Sequence, residues 1–217
     1  SVRSGTTEDL FIQDINVLNA NNTEDGYCDN DFISLITNTQ TNGLYVSGNT
    51  VHRLRRFMRV RGGLDTAYIQ NNVVTELGLS GYEQTIEATG NNNITIESNV
   101  FSKHAPRAGT DIDPVKGTNV GGGNMIVFPP SRAANPATYA TNVRILNNLI
   151  EGRPDSAYLR YCTDGQTVAN CDNPDARIRT TRNGASSNLV VLRGIDGFDV
   201  VGNRIRHSGE GGLIMTA

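Results

Sequence analysis

The chain has no tryptophan, two lysines (Lys103 and Lys116), three histidines and three cysteines, and only 19% of its 217 residues are charged. Each scarcity excludes something. No CxxC occurs and the histidines are scattered, so no zinc-finger spacing is present. No apolar run approaches 18 residues, so no helical membrane span is expected. A net charge of −3 argues against a nucleic-acid partner held by bulk charge. No signal-type segment opens the chain, which starts at Ser1 rather than Met, so an upstream part is expected to have been removed or not included. Asparagine and glycine are abundant instead, with 25 and 23 copies. Both are poor helix formers and good turn formers, which excludes a helical bundle or coiled coil.

A repeat carries the asparagines. Residues 45–51 (YVSGNTV), 68–74 (YIQNNVV), 95–101 (TIESNVF), 144–150 (RILNNLI) and 199–205 (DVVGNRI) share the pattern x-Φ-x-x-N-x-Φ, with Φ apolar. Residues 12–17 (IQDINV) are a degenerate sixth copy with Ile15 where Asn would stand. The Asn spacings are 23, 27, 49 and 55; the longer two need insertions or hide a coil that lost its Asn. A second set of alternating segments, at 57–61, 85–89 and 190–193, runs into Gly62, Gly90 and Gly194, each 9 or 10 residues before an Asn. Residues 32–36, 125–128 and 213–215 look like the same strand without the glycine.

Such units cannot bury their apolar positions alone. Stacked about 4.8 Å apart, they form parallel sheets around a narrow core. An Asn repeated at one bend would point inward and bond the Asn of the coils on either side. The expected fold is all-β, a right-handed parallel β-helix of about six coils, open at one or both ends. It is expected as one domain over residues 1–217, a segment of a longer chain or a subunit that stacks on another copy.

On this Asn ladder the chain resembles the pectate-lyase-like superfamily of right-handed parallel β-helices, over about residues 10 to 217. The resemblance implies a secreted or extracellular protein that binds, and could cleave or epimerise, an acidic polysaccharide. It covers lyases, epimerases, hydrolases, tailspikes and structural solenoids, and fold does not choose among them.

The candidate site residues follow from charge and placement. Arginine outnumbers lysine 17 to 2, and Arg53, Arg55, Arg56, Arg59 and Arg61 fall within nine residues. Arginine is the residue of bidentate carboxylate recognition. Aligning the glycines places Arg59 beside Glu87 and Arg61 beside Thr89 on an outward face shared with Arg193. The long connections 102–123 and 151–188 would wall that face. Such a surface suits an acidic, uronate-bearing polysaccharide, with Arg59, Arg61 and Arg193 neutralising carboxylates and Tyr158 and Tyr161 flanking Arg160 in the second wall. The competing reading is a solvated cross-strand ion pair. Glu87, His104 and Lys116 are the candidate proton carriers of a lyase or epimerase. A surface histidine and an ordinary lysine are the plainer readings of the last two. Asp111 and Asp113 could hold Ca²⁺ or act as an acid/base pair, though Asp113 before Pro114 also suits a turn cap. No cofactor is required, and Ca²⁺ is the one ion considered. A hydrolase would need several clustered carboxylates and ranks last. The alternative from a different class is a non-catalytic fibre, shaft or tailspike stem that self-stacks through open sheet edges. Cys162 and Cys171 bracket a short loop and could close a disulfide, leaving Cys28 free.

Overall fold

Each repeat unit turns the chain once around a common axis, because its apolar positions can be covered only by the units before and after it. The computed structural model describes residues 5–18, 31–36, 39–85, 88, 90–102, 125–128, 140–152, 188–208 and 211–216. Cys28, Cys162 and Cys171, and so the bridge expected between the last two, lie outside them.

Six coils follow in order. The first holds β1 (Gly5–Gln13), β2 (Asn16–Val17) and β3 (Asp31–Leu35); the second, β4 (Thr39–Ser47) and β5 (Thr50–Val60). The third holds β6 (Gly63–Gln70) and β7 (Val73–Gln84); the fourth, β8 (Asn92–Glu97), β9 (Val100–Ser102) and β10 (Ile126–Phe128). The fifth holds β11 (Ala140–Leu146), β12 (Leu149–Glu151) and β13 (Asn188–Arg193), and the sixth β14 (Ile195–Val201), β15 (Arg204–Arg206) and β16 (Gly211–Thr216). Every pairing is parallel, and no helix occurs among the described residues. One sheet runs β1-β4-β6-β8-β11-β14. The ten-stranded second sheet has two faces, one after the Asn bend and one after the long connections, joined because β5 and β7 each run through both. The chain is a parallel β-helix of six coils.

Asn49, Asn72, Asn99, Asn148 and Asn203 stack as the repeat requires. Each Nδ2 donates to the Oδ1 of the next, at 2.8, 2.8, 3.0 and 2.9 Å. Each Oδ1 also accepts the backbone N–H of the preceding ladder residue. The second Nδ2 hydrogen goes to a carbonyl of the previous coil, from Ile12 under Asn49 to Ile145 under Asn203. Ile15 keeps only the backbone part, donating its N–H to Asn49 Oδ1 at 3.1 Å. No coil is hidden in the long spacings, since Asn99 bonds Asn148 and Asn148 bonds Asn203 directly. The extra residues are insertions elsewhere in the coil.

A second feature repeats without a shared residue type. Asp9, Gly43, Thr66, Asn93, Asn142 and Gly197 occupy one position in the six coils, and all have left-handed backbone, with φ between 47° and 77°. Aspartate, asparagine and glycine tolerate this region, and a β-branched residue does not. Asn93 also ties neighbours together, donating to Asp65 Oδ1 at 3.1 Å and accepting from Asn142 at 2.8 Å. Thr66, at φ 57°, is the strained member. Thr66→Gly is expected to raise stability by about 1 kcal/mol, read as a higher denaturant midpoint; an unchanged or lower midpoint would show that the strain is not felt.

Candidate functional site

The register of β5 against β7 decides which charges meet. It differs from the one the glycines suggest. The offset between the two strands is 23 residues from Thr50↔Val73 to Leu54↔Leu77, then 24 from Arg56↔Ser80 to Val60↔Gln84. It reaches 27 at Asp65↔Asn92. The four extra residues of this coil are therefore split, one in a bulge of β7 and three in the corner between Gln84 and Asn92. The Gly90 alignment assumed that none lay between strand and glycine. β7 ends at Gln84, and Arg59 pairs with Glu83, four residues before the Glu87 that the glycine alignment placed opposite it.

The result is a compact ion cluster across β3, β5 and β7. Arg56 is buried, at 6% exposure. Its Nε donates to Glu83 Oε2 at 2.5 Å, and its Nη1 donates to Asp31 Oδ1 at 3.4 Å. Ser80 Oγ donates to the same Glu83 oxygen at 3.1 Å. The bulge beside Arg56 is the device that re-aims these side chains. Glu83 Oε1 faces the other way, 3.9 Å from Arg59 Nε, too far for a hydrogen bond. Arg59 is 24% exposed, and its buried Nε has no hydrogen-bond acceptor. Burial first, then the like charges of Arg56 and Arg61, lower Arg59 below the ordinary guanidinium value, with Glu83 and Asp31 opposing. A guanidinium stays protonated at neutral pH regardless.

Charge bookkeeping then favours an anion. Among the described residues, three guanidiniums, Arg56, Arg59 and Arg61, stand near two carboxylates, and Arg56 bonds both. Glu83 is engaged by Arg56 and Ser80 through one oxygen, so it positions the Arg56 guanidinium. Sequence reasoning missed Arg56, Asp31 and Glu83 as a unit. The spacing of 27 against 23 was the available signal, but it does not say where the extra residues fall.

The remaining candidates separate. Arg61 is half-buried just past β5. Arg193, at the end of β13, does not join the cluster: the strand order β5-β7-β10-β13 puts it three strands away, about 14 Å. Glu87, His104, Lys116, Asp111, Asp113, Tyr158 and Tyr161 lie outside the described residues, as do most of the two long connections. Among the described residues, no group of three or more His, Cys, Asp or Glu side chains could hold a metal ion. A cavity of about 350 Å³ lies elsewhere, inside the first coil between β1 and β3, with Leu10, Ile12, Ile33 and Leu35 in its wall. Its lining mixes aliphatic side chains with Thr7, Ser34, Thr39 and Thr41 and contains none of the arginines.

Fold and site together define a parallel β-solenoid with a cationic patch on one outer face. No family model matches the chain, and no curated protein or solved structure matches it.

Proposed function

We propose that the outer face around Arg59 and Arg61 binds an acidic polysaccharide, in the manner of the extracellular pectate-lyase-like solenoids. The observation that carries this reading is the excess of cations among the described residues: Arg56 engages both nearby carboxylates, and Arg59, with 24% of its side chain exposed, approaches Glu83 only to 3.9 Å. A uronate carboxylate accepts two parallel N–H bonds from one guanidinium, which a lysine cannot supply. Arg59→Lys and Arg61→Lys are therefore each expected to weaken binding of polygalacturonate by roughly tenfold, with charge retained. Affinity should also fall as salt rises. Equal binding of neutral and acidic glycans, together with unchanged binding by Arg59→Ala, overturns the reading. Scoring the same panel for the absorbance of unsaturated product separates binding from elimination, the step for which Glu87, His104 and Lys116 are proposed.

A structural role has its own support. Phe11, Ile15 and Leu18 are 59%, 40% and 65% exposed in and near the first coil, and Phe198, Val201 and Met215 are 43%, 60% and 53% exposed in the last. These faces suit self-stacking between solenoid ends, which concentration-dependent sedimentation would reveal. The ladder does not run on between copies in such a stack, because Ile15 offers Asn203 no side-chain acceptor.

A further inference from the structure

The two ends of the solenoid carry opposite relief. The first coil holds the cavity of about 350 Å³, with Thr7, Leu10, Ile12, Ile33 and Leu35 in its wall. Among the described residues no coil precedes it, so Leu10 and Ile12 are half-buried, whereas Leu44 and Val46 in the same rows one coil on are fully buried. Threonine also takes the place of bulk here. Thr7 and Thr41 stand in the row that holds Leu64 in the third coil and Ile195 in the sixth. Among the described residues, the wall contains no charged side chain.

The last coil projects where the first is hollow. Phe198 and Met215 belong to inward rows and are nevertheless 43% and 53% exposed. The row of Phe198 runs back through buried Val143 and Leu44 to Leu10. That of Met215 runs back through buried Leu192 and Val60 to Leu35. The uncovered side chains of one end therefore occupy the same coil positions as the wall of the hollow at the other. Set on the first coil of a second copy at the sheet spacing of about 4.8 Å, the last coil brings Phe198 over Leu10, Met215 over Leu35 and Ile195 over Thr7.

We infer that the hollow of the first coil is a socket for the last coil of a second copy, so that chains join head to tail with Phe198 and Met215 as the plug. This rests on the structural reading above and adds the polarity of the stack and the side chains that make it. A wall without charge, aliphatic at Leu10, Ile12, Ile33 and Leu35, suits an apolar plug. The same placement sets β14 beside β1 and β16 beside β3 in parallel, covering sheet edges that otherwise stay open. Plug and socket lie on different surfaces, so the contact is heterologous, and stacking along the solenoid axis continues as a filament. At the rim Asp196 comes over Glu8, a like-charged pair in one row. Salt screens that repulsion, so assembly tightens as salt rises, opposite to glycan binding at Arg59 and Arg61.

Complementation between variants tests the polarity. The unmodified chain should sediment as species that grow past the dimer as concentration and salt rise. Phe198→Asp removes the plug and Leu10→Asp charges the socket, and each variant alone should stay monomeric where the unmodified chain assembles. An equimolar mixture of the two retains one plug and one socket, so it should form a dimer and nothing larger. A Phe198→Asp variant that self-associates, or a mixture that stays monomeric, overturns the head-to-tail contact and leaves the broader reading of self-stacking standing. An unmodified chain that stays monomeric at every concentration overturns both. Should Leu10→Asp not fold, Thr7→Phe, which fills the hollow without adding charge, takes its place.

Discussion

Asn99→Ala is expected to lower the free energy of unfolding by about 3–5 kcal/mol, a cost well above that of an ordinary substitution. Asn99 is 1% exposed and joins three coils at once. Its Oδ1 accepts from the Asn72 N–H and Nδ2, and its Nδ2 donates to the Ile69 carbonyl and Asn148 Oδ1. Truncation leaves the Asn72 N–H and the Ile69 carbonyl without these partners inside the core, where water does not replace them. Asn203→Ala is the internal control. It removes the same chemistry from the half-buried last rung, so about 1 kcal/mol is expected. Asn99→Asp isolates the donor half of the amide, because a carboxylate still accepts from Asn72 but cannot donate to Ile69 or Asn148. Urea melts of the three variants give the comparison. Equal losses for Asn99→Ala and Asn203→Ala would mean that the ladder is not what holds the coils together.

Arg56→Ala should be comparably damaging, at about 3–5 kcal/mol, for an electrostatic reason. Arg56 and Asp31 side chains are 8% and 9% exposed, and that of Glu83 is 23% exposed. Removing the guanidinium leaves two carboxylates near one another with their shared cation gone. Replacing Arg56, Asp31 and Glu83 together by methionine should recover much of the loss, since an apolar triad has no charge to desolvate. Arg59→Ala should cost within about 1 kcal/mol, because its side chain is more exposed and makes no hydrogen bond through Nε. That contrast tests the division of labour at the site, with Arg56 holding the sheet and Arg59 left for a ligand. Thermal melts in which Arg56→Ala and Arg59→Ala behave alike would remove it.

What was legible in the sequence was whatever has to recur in every coil. The Asn ladder repeats because the same bend exposes the same backbone groups each time, and only an amide both donates and accepts along the stack. The inward apolar positions flanking each Asn repeat for the same reason. The left-handed position was less legible. Asp9, Gly43, Thr66, Asn93, Asn142 and Gly197 satisfy one backbone requirement with four residue types, so no single letter marks it.

The sequence by itself determined the solenoid, its ladder and the uneven arginine supply, because these depend on residue type at a fixed period. Only the tertiary structure decided that Arg59 meets Glu83, and that Arg193 stands apart. Register on a sheet is a sum of lengths around a closed coil. One residue in the β7 bulge and three in the corner before Asn92 change that sum without disturbing the Asn period at either end. The same corner put Gln84 and Asn91 inside, where a linear pattern of polar residues reads as an exposed turn. Local chemistry names the residues, and the path length between them sets which ones touch.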